Sequence, residues 1–96
     1  MDFLGYERSD LIQWKLQKGQ GGGITRLLVK NGQPQKHQSY KGGMRDGIWW
    51  EAFQNGQKKF EGSYLEGEKH GIWNYWKENG EKTKFEKYQN GLLVEN

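Results

Sequence analysis

Aromatic and apolar residues cluster along this chain in short runs, broken by Asn-Gly pairs and by glycine-rich links, and one such phrase is written nearly twice. The stretch GIWWEAFQNGQKKFEGSYLEG covers residues 47–67, and GIWNYWKENGEKTKFEKYQNG covers residues 71–91. Asn-Gly between two aromatic-rich runs is a strong hairpin signal, because both residues accept the positive φ of a type I′ turn. The pattern predicts that 48–53 pairs with 58–64 and that 72–77 pairs with 82–88. The remaining links, KGGMRDG and LEGEKHG, carry glycines that turn the chain into the next hairpin.

The phrase keeps a period of 24 residues. Tyr40, Tyr64 and Tyr88 hold it, as do Gly19, Gly43, Gly67 and Gly91, Gly23, Gly47 and Gly71, and the Asn-Gly pairs at 31, 55 and 79. Four such sets in one register mark a repeat array, in which each hairpin needs a neighbour to cover its aromatic face. Leu16 takes the tyrosine place of a worn leading unit. The chain reads as a single domain over 1–96, with a partial unit or cap at 1–15, repeats at 16–39, 40–63 and 64–87, and a partial unit at 88–96. The predicted fold is all-β, an antiparallel meander of tandem hairpins with about seven or eight short strands and almost no helix.

Alternation along the strands is imperfect. In Trp73-Asn74-Tyr75-Trp76 the rings occupy both parities, so both sheet faces carry aromatics. Phe60 lies four residues before Tyr64 but Phe85 only three before Tyr88, which sets the two on opposite faces unless a bulge intervenes. Pro34 and the stretch GQGGGI make the first repeat looser than the other two.

Composition sharpens this picture. Only 32% of the residues are hydrophobic and 15 are glycine, so aliphatic side chains cannot fill a thick core. Five Trp, five Tyr and four Phe can supply the apolar area instead, which fits a thin, aromatic-studded sheet. The net charge of +3 arises from bases and acids mixed along the chain, a mild balance well short of a nucleic-acid arm. The absence of Cys removes disulfides, thiol nucleophiles and Cys-based metal sites. The start MDFLGYERSD has no apolar run of the kind a signal peptide carries, and a cytoplasmic location is expected.

The repeat resembles a known family. Tyr64, Gly67, His70, Gly71, Trp73, Tyr75, Glu78, Asn79, Gly80, Tyr88 and Gly91 are similar, position by position, to a bacterial variant of the MORN repeat (membrane occupation and recognition nexus). The preceding unit is similar at Tyr40, Gly43, Gly47, Trp49, Asn55 and Gly56, but has Asp46 in the place of the His and Glu51 in that of the Tyr. The resemblance implies a scaffold without a catalytic motif. Similar bacterial proteins are described as antitoxins of toxin–antitoxin pairs, and eukaryotic relatives as protein scaffolds or lipid-linked proteins.

Catalytic chemistry finds little purchase. His37 and His70, the only imidazoles, lack a ligand-spaced partner, and His70 reads as a turn residue before Gly71. Glu61, Glu66, Glu68, Glu78, Glu81 and Glu86 sit beside lysines, as exposed cross-strand pairs do. GQGGG lacks the Lys-Ser/Thr and the helix of a phosphate loop. No catalytic residue, metal or cofactor is implied.

The tryptophans carry the functional expectation. Trp49 and Trp73, with the column tyrosines, read as stacking between hairpins, whereas Trp50 and Trp76 share no column and are the stronger contact candidates. The candidate partner-binding residues are therefore Trp50, Trp76, Trp49, Trp73, Tyr75 and Phe53. The expected function is a non-enzymatic protein-binding module whose partner is another protein, a toxin in the antitoxin form of the reading, with some tendency to pair with its own copies. A membrane-lipid or nucleic-acid surface binder using a Trp/Lys face is the second class.

Overall fold

Short aromatic runs separated by turn residues fold into strands, and in the computed structural model, which describes residues 12–96, almost every described stretch between turns is one. The strands are β1 (Ile12–Lys18), β2 (Gly23–Lys30), β3 (Gln33–Lys41), β4 (Met44–Arg45), β5 (Gly47–Ala52), β6 (Lys58–Leu65), β7 (Glu68–Trp76), β8 (Lys82–Gln89) and β9 (Leu92–Glu95). A single 3-10 turn at Gln20–Gly22 joins β1 to β2. All pairings are antiparallel, and the order is β1-β2-β3-β5-β6-β7-β8-β9 with β4 beside β3. The sheet is a sequential meander and does not close into a barrel. The expectations for the first ten residues lie outside the described residues.

β4 and β5 together match the single strand β7 one period later, so the ninth strand is a break at Asp46 and no addition to the topology. Both predicted hairpins form: β5 pairs with β6 and β7 with β8. Phe60 faces Tyr75 while Phe85 faces Asn74, so the two phenylalanines lie on opposite faces and no bulge reunites them.

The turns correct the sequence reading. Of the three Asn-Gly pairs only Asn31-Gly32 is a two-residue turn with positive φ at both residues, at 54° and 82°. At the second, the Gly56 N–H donates to the Phe53 carbonyl at 2.9 Å and the Phe53 N–H to the Gln57 carbonyl at 2.7 Å; only Gly56 has positive φ. Lys77 to Glu81 repeat this arrangement. These are type I turns that end in a left-handed glycine. In Asn55 and Asn79, which stay right-handed, the side-chain Oδ1 accepts the N–H two residues on, from Gln57 at 3.0 Å and Glu81 at 2.9 Å. The tight two-residue turns sit at the other links instead, at Gly42-Gly43, Glu66-Gly67 and Asn90-Gly91.

Repeat one differs for a local reason. Pro34 stands where Lys58 and Lys82 stand in the next two units, and it has no N–H to give to a ladder. Lys58 pairs with Ala52 and Lys82 with Trp76, but Pro34 pairs with Val29, one place along, and the ladder shifts beside all three.

The molecule measures 55 × 35 × 14 Å, the thickness of one sheet with its side chains. Among the described residues there is no second layer to build a core. Among the described residues the only buried hydrophobic side chain is that of Trp73, 3% exposed, and several large apolar side chains are left on the surface.

Candidate functional site

Direct cross-strand partners point to the same face of a sheet, so the registers sort the side chains into two faces. One face carries the repeat columns. Trp49 meets Tyr40 and Tyr64 edge to face with ring centres 5.3 Å away from each, and Trp73 meets Tyr64 the same way at 5.2 Å. Each such aromatic contact contributes about 0.5–1.5 kcal/mol beyond area burial.

Both tryptophans are anchored alike. The Trp49 Nε1–H donates to the Ser39 carbonyl at 2.8 Å, and the Trp73 Nε1–H to the Ser63 carbonyl at 3.1 Å. A cation caps each ring pair one period apart: Arg45 lies 5.5 Å from the Trp49 ring centre and 5.4 Å from Tyr64, and Lys69 lies 4.8 Å from Trp73 and 4.9 Å from Tyr88.

The backbone makes room for this row. Between β6 and β7 the ladder skips, with the pairing shifting between Glu61 and Ser63 while Gly71 takes φ 76°. That bulge lets the Trp73 ring fold down over Gly62, where a Cβ would lie 2.0 Å from the ring. Trp49 has Gln38 one period before Gly62, and it stays half exposed. The difference explains why Trp73 alone is buried.

Beyond Trp73 the face turns polar. Phe60 stacks on Trp73 at 5.9 Å, and the Tyr75 and Tyr88 hydroxyls both donate to Glu86 Oε1, at 2.8 and 2.9 Å. Those two hydrogen bonds hold the Glu86 carboxyl below the usual carboxylate range, with Lys84 helping from 3.5 Å. Burial, then the bond to Glu86, pushes the Tyr75 hydroxyl well above its usual value, and Tyr88 follows for the same causes. A depressed acid stabilises the fold above its unfolded pKa, about 4.3, and that contribution disappears as pH falls through its folded value. The raised tyrosines act at the other end, losing theirs as pH rises from about 10. Melting temperature against pH should thus fall on the acid side, and Glu86→Gln should flatten that limb; an unchanged acid limb in the variant would count against the cluster.

The opposite face holds Trp50. It stacks on His37 at 5.9 Å with the rings 15° from parallel, and Lys58 lies 5.6 Å from its centre while bonded to Glu61 at 2.6 Å. His37 Nδ1 is 3.0 Å from the Ile48 carbonyl. Trp76 is half exposed at the end of β7, opposite Lys82. Phe53 lies at the β5–β6 turn under Lys59, 5.1 Å away.

The six sequence candidates therefore do not form one surface. Trp49, Trp73 and Tyr75 share the row's face, Trp50 lies behind it, and Trp73 is too covered to meet a partner. Trp50→Ala and Trp76→Ala are each expected to cost about 1 kcal/mol of stability, read as the urea midpoint; a loss matching that of Trp73→Ala would mean these side chains carry the fold as well.

Charge is sorted by face, which a count along the chain hides. The ladders place Lys18, Arg26, Lys30, Lys36, Arg45, Lys69 and Lys84 on the row's face, and from the same strands only Glu51 and Glu86. Behind it the strand charges are mixed, with Glu61 bonded to Lys58 and Lys87 opposite Glu95. Glu51 lies 3.9 Å from Lys36, a surface pair that contributes about 0–1 kcal/mol. Lys69 is among the lysines that interleave with the rings in the sequence, whereas its one-period match to Arg45 escaped the sequence reading.

Two of the hollows on this face lie along the row and at its end. One, about 230 Å³, is lined by the row itself from Arg45 and Trp49 to Trp73 and Tyr75. The other, about 530 Å³ and mostly apolar, lies beside Tyr40 among Leu16, Ile24 and Arg26. Among the described residues no group of three or more His, Cys, Asp or Glu is placed to hold a metal ion, and no helix is long and apolar enough to cross a membrane.

In comparisons with known proteins, no family model matches the chain, and no curated protein or solved structure matches it.

Proposed function

We propose that this chain is a non-enzymatic protein-interaction module built of MORN-like hairpin repeats with a period of 24 residues, and that it binds another protein on the face carrying the Tyr–Trp row. The observation that carries the reading is the single layer: a nine-stranded sheet 14 Å thick, with one buried hydrophobic side chain among the described residues, presents nearly all their remaining aromatic and apolar surface outward. Exposed apolar surface rimmed by charge marks interaction sites more often than it marks chemistry. Recurrence of the ring, cation and hydrogen-bond contacts at one period supports the repeat, and through it the MORN-like reading.

The sharper form, an antitoxin-type inhibitor that covers the working surface of a toxin, follows the resemblance at Tyr64 to Gly91. It predicts that co-expression of the chain rescues growth of cells producing the captured partner; a partner that is harmless when expressed alone would remove that form.

The test of the module itself is affinity capture from extract of the native cells, treated with nuclease and cleared of membranes, using the intact chain beside Ile24→Glu and Ile48→Glu. Both positions are exposed, at 42% and 53%, so both variants keep the fold. A protein retained by the intact chain and by Ile48→Glu, and lost with Ile24→Glu, is the expected result. Binding that vanishes with nuclease, or that goes only to lipid vesicles, would replace this reading with a nucleic-acid or membrane one.

A further inference from the structure

The Tyr–Trp row stops one ring short, and the place where it stops is the larger hollow. Trp49 sits between Tyr40 and Tyr64, and Trp73 lies against Tyr64 with Lys69 bridging onward to Tyr88. One period before Trp49 the chain has Thr25, and one period before Tyr40 it has Leu16. Thr25 turns to the other face, its hydroxyl 3.4 Å from that of Ser39. Among the described residues there is accordingly no ring between Leu16 and Tyr40. What lies there is the apolar hollow of about 530 Å³, with glycine backbone at Gly22, Gly42 and Gly43 in its wall.

The floor of this hollow is open to contact. Leu16 is 69% exposed and Ile24 is 42% exposed, and Tyr40 has its ring neighbour, Trp49, on the far side. Bases surround it. Arg26 lines the hollow and lies 4.2 Å over Trp14, while Lys18 and Arg45 reach the same face through their pairing with Ile24 and Tyr40.

We infer that this hollow seats an aromatic side chain from an acidic segment of a partner protein, whose carboxylates meet Lys18, Arg26 and Arg45. The inference rests on the interaction-module reading and adds the partner's chemistry to it. A partner ring here would extend the edge-to-face sequence that the chain builds for itself at Trp49 and Trp73. Seven bases against two acids on the strands of this face complement carboxylates, and a buried aromatic anchor ringed by charge is how energetic centres of interfaces are built. Single-stranded nucleic acid fits less well. Base stacking needs a succession of open ring faces, whereas Trp73 is 3% exposed and Arg45 and Lys69 lie over the row.

Fluorescence anisotropy with defined probes tests this. The probes are a labelled peptide of alternating aspartate and glycine with one central tryptophan, the same peptide with alanine for the tryptophan, the same with lysine for aspartate, and a short oligothymidylate. Saturable binding of the acidic tryptophan peptide is expected, weakened at least about tenfold by loss of its tryptophan and about tenfold by Ile24→Glu. Ile48→Glu should bind as the intact chain does, and urea midpoints check that both variants are folded. Equal binding of the tryptophan and alanine peptides, indifference to Ile24→Glu, or no binding of any peptide would overturn the inference. If the acidic peptides fail while extract capture still yields a protein partner, the inference falls and the module reading stands. If the oligothymidylate binds more tightly than every peptide, both fall.

Discussion

Gly62→Ala is expected to unseat Trp73 and to cost about 3–5 kcal/mol, the loss of a buried large aromatic. The reason is steric and local. A Cβ at this position would lie 2.0 Å from Trp73 Cδ2 and 2.2 Å from Cε2, inside an indole whose nitrogen is tied to the Ser63 carbonyl. The ring cannot slide along the sheet, because Phe60 stacks against it and Tyr64 meets it edge on. It must leave. Chemical denaturation of the double variant gives a sharper check than the single change: once Trp73 is alanine, adding Gly62→Ala should cost almost nothing further. Additive losses would show that Gly62 matters for some reason other than the ring above it.

Trp73→Ala itself is expected to remove about 3–5 kcal/mol. Small domains have roughly 5–15 kcal/mol in all, and a one-layer sheet belongs at the low end of that range. The variant should therefore be unfolded or nearly so at ambient temperature. Trp73→Phe keeps a ring for Tyr64 and Lys69 but loses the N–H to Ser63, and should fall between the two. Circular dichroism through a urea series reads all three. Trp49→Ala should cost less, since Trp49 stays half exposed. Equal losses at Trp49 and Trp73 would contradict the account of why only one of them is buried.

The sequence made the hairpins and the period legible because those rest on local signals: turn residues, strand-forming aromatics and fixed spacing. Strand pairing followed at both predicted hairpins. Turn geometry did not. Asn55 and Asn31 are the same residue in the same column, yet only Asn31 is left-handed, and the difference depends on a side-chain bond to Gln57 and on the proline at 34.

Faces were harder still, because one bulge reverses every parity downstream of it. The shifts beside Val29, Ala52 and Trp76 each set two residues of one strand against one of its neighbour, and none can be counted from spacing. The bases, which alternate with acids along the chain, outnumber them seven to two on the strands of the row's face. Because faces are not legible from spacing, the off-column tryptophans drew attention ahead of Leu16, Ile24 and Arg26. Leu16 and Ile24 keep the 24-residue spacing, with Tyr40 and with Ile48 and Ile72, but their interest comes from the ring absent, among the described residues, between Leu16 and Tyr40.

The central claim is that the row's face, at its open end, meets another protein. The most direct measurement is site-specific photo-crosslinking in the native cells, with benzoylphenylalanine placed at Ile24 in one chain and at Ile72 on the opposite face in another. Both side chains are exposed, at 42% and 54%, so each label reaches solvent without disturbing the sheet. The account predicts a protein adduct from position 24 and none from position 72. Adducts from 72 alone, or adducts to nucleic acid or lipid in place of protein, would contradict it.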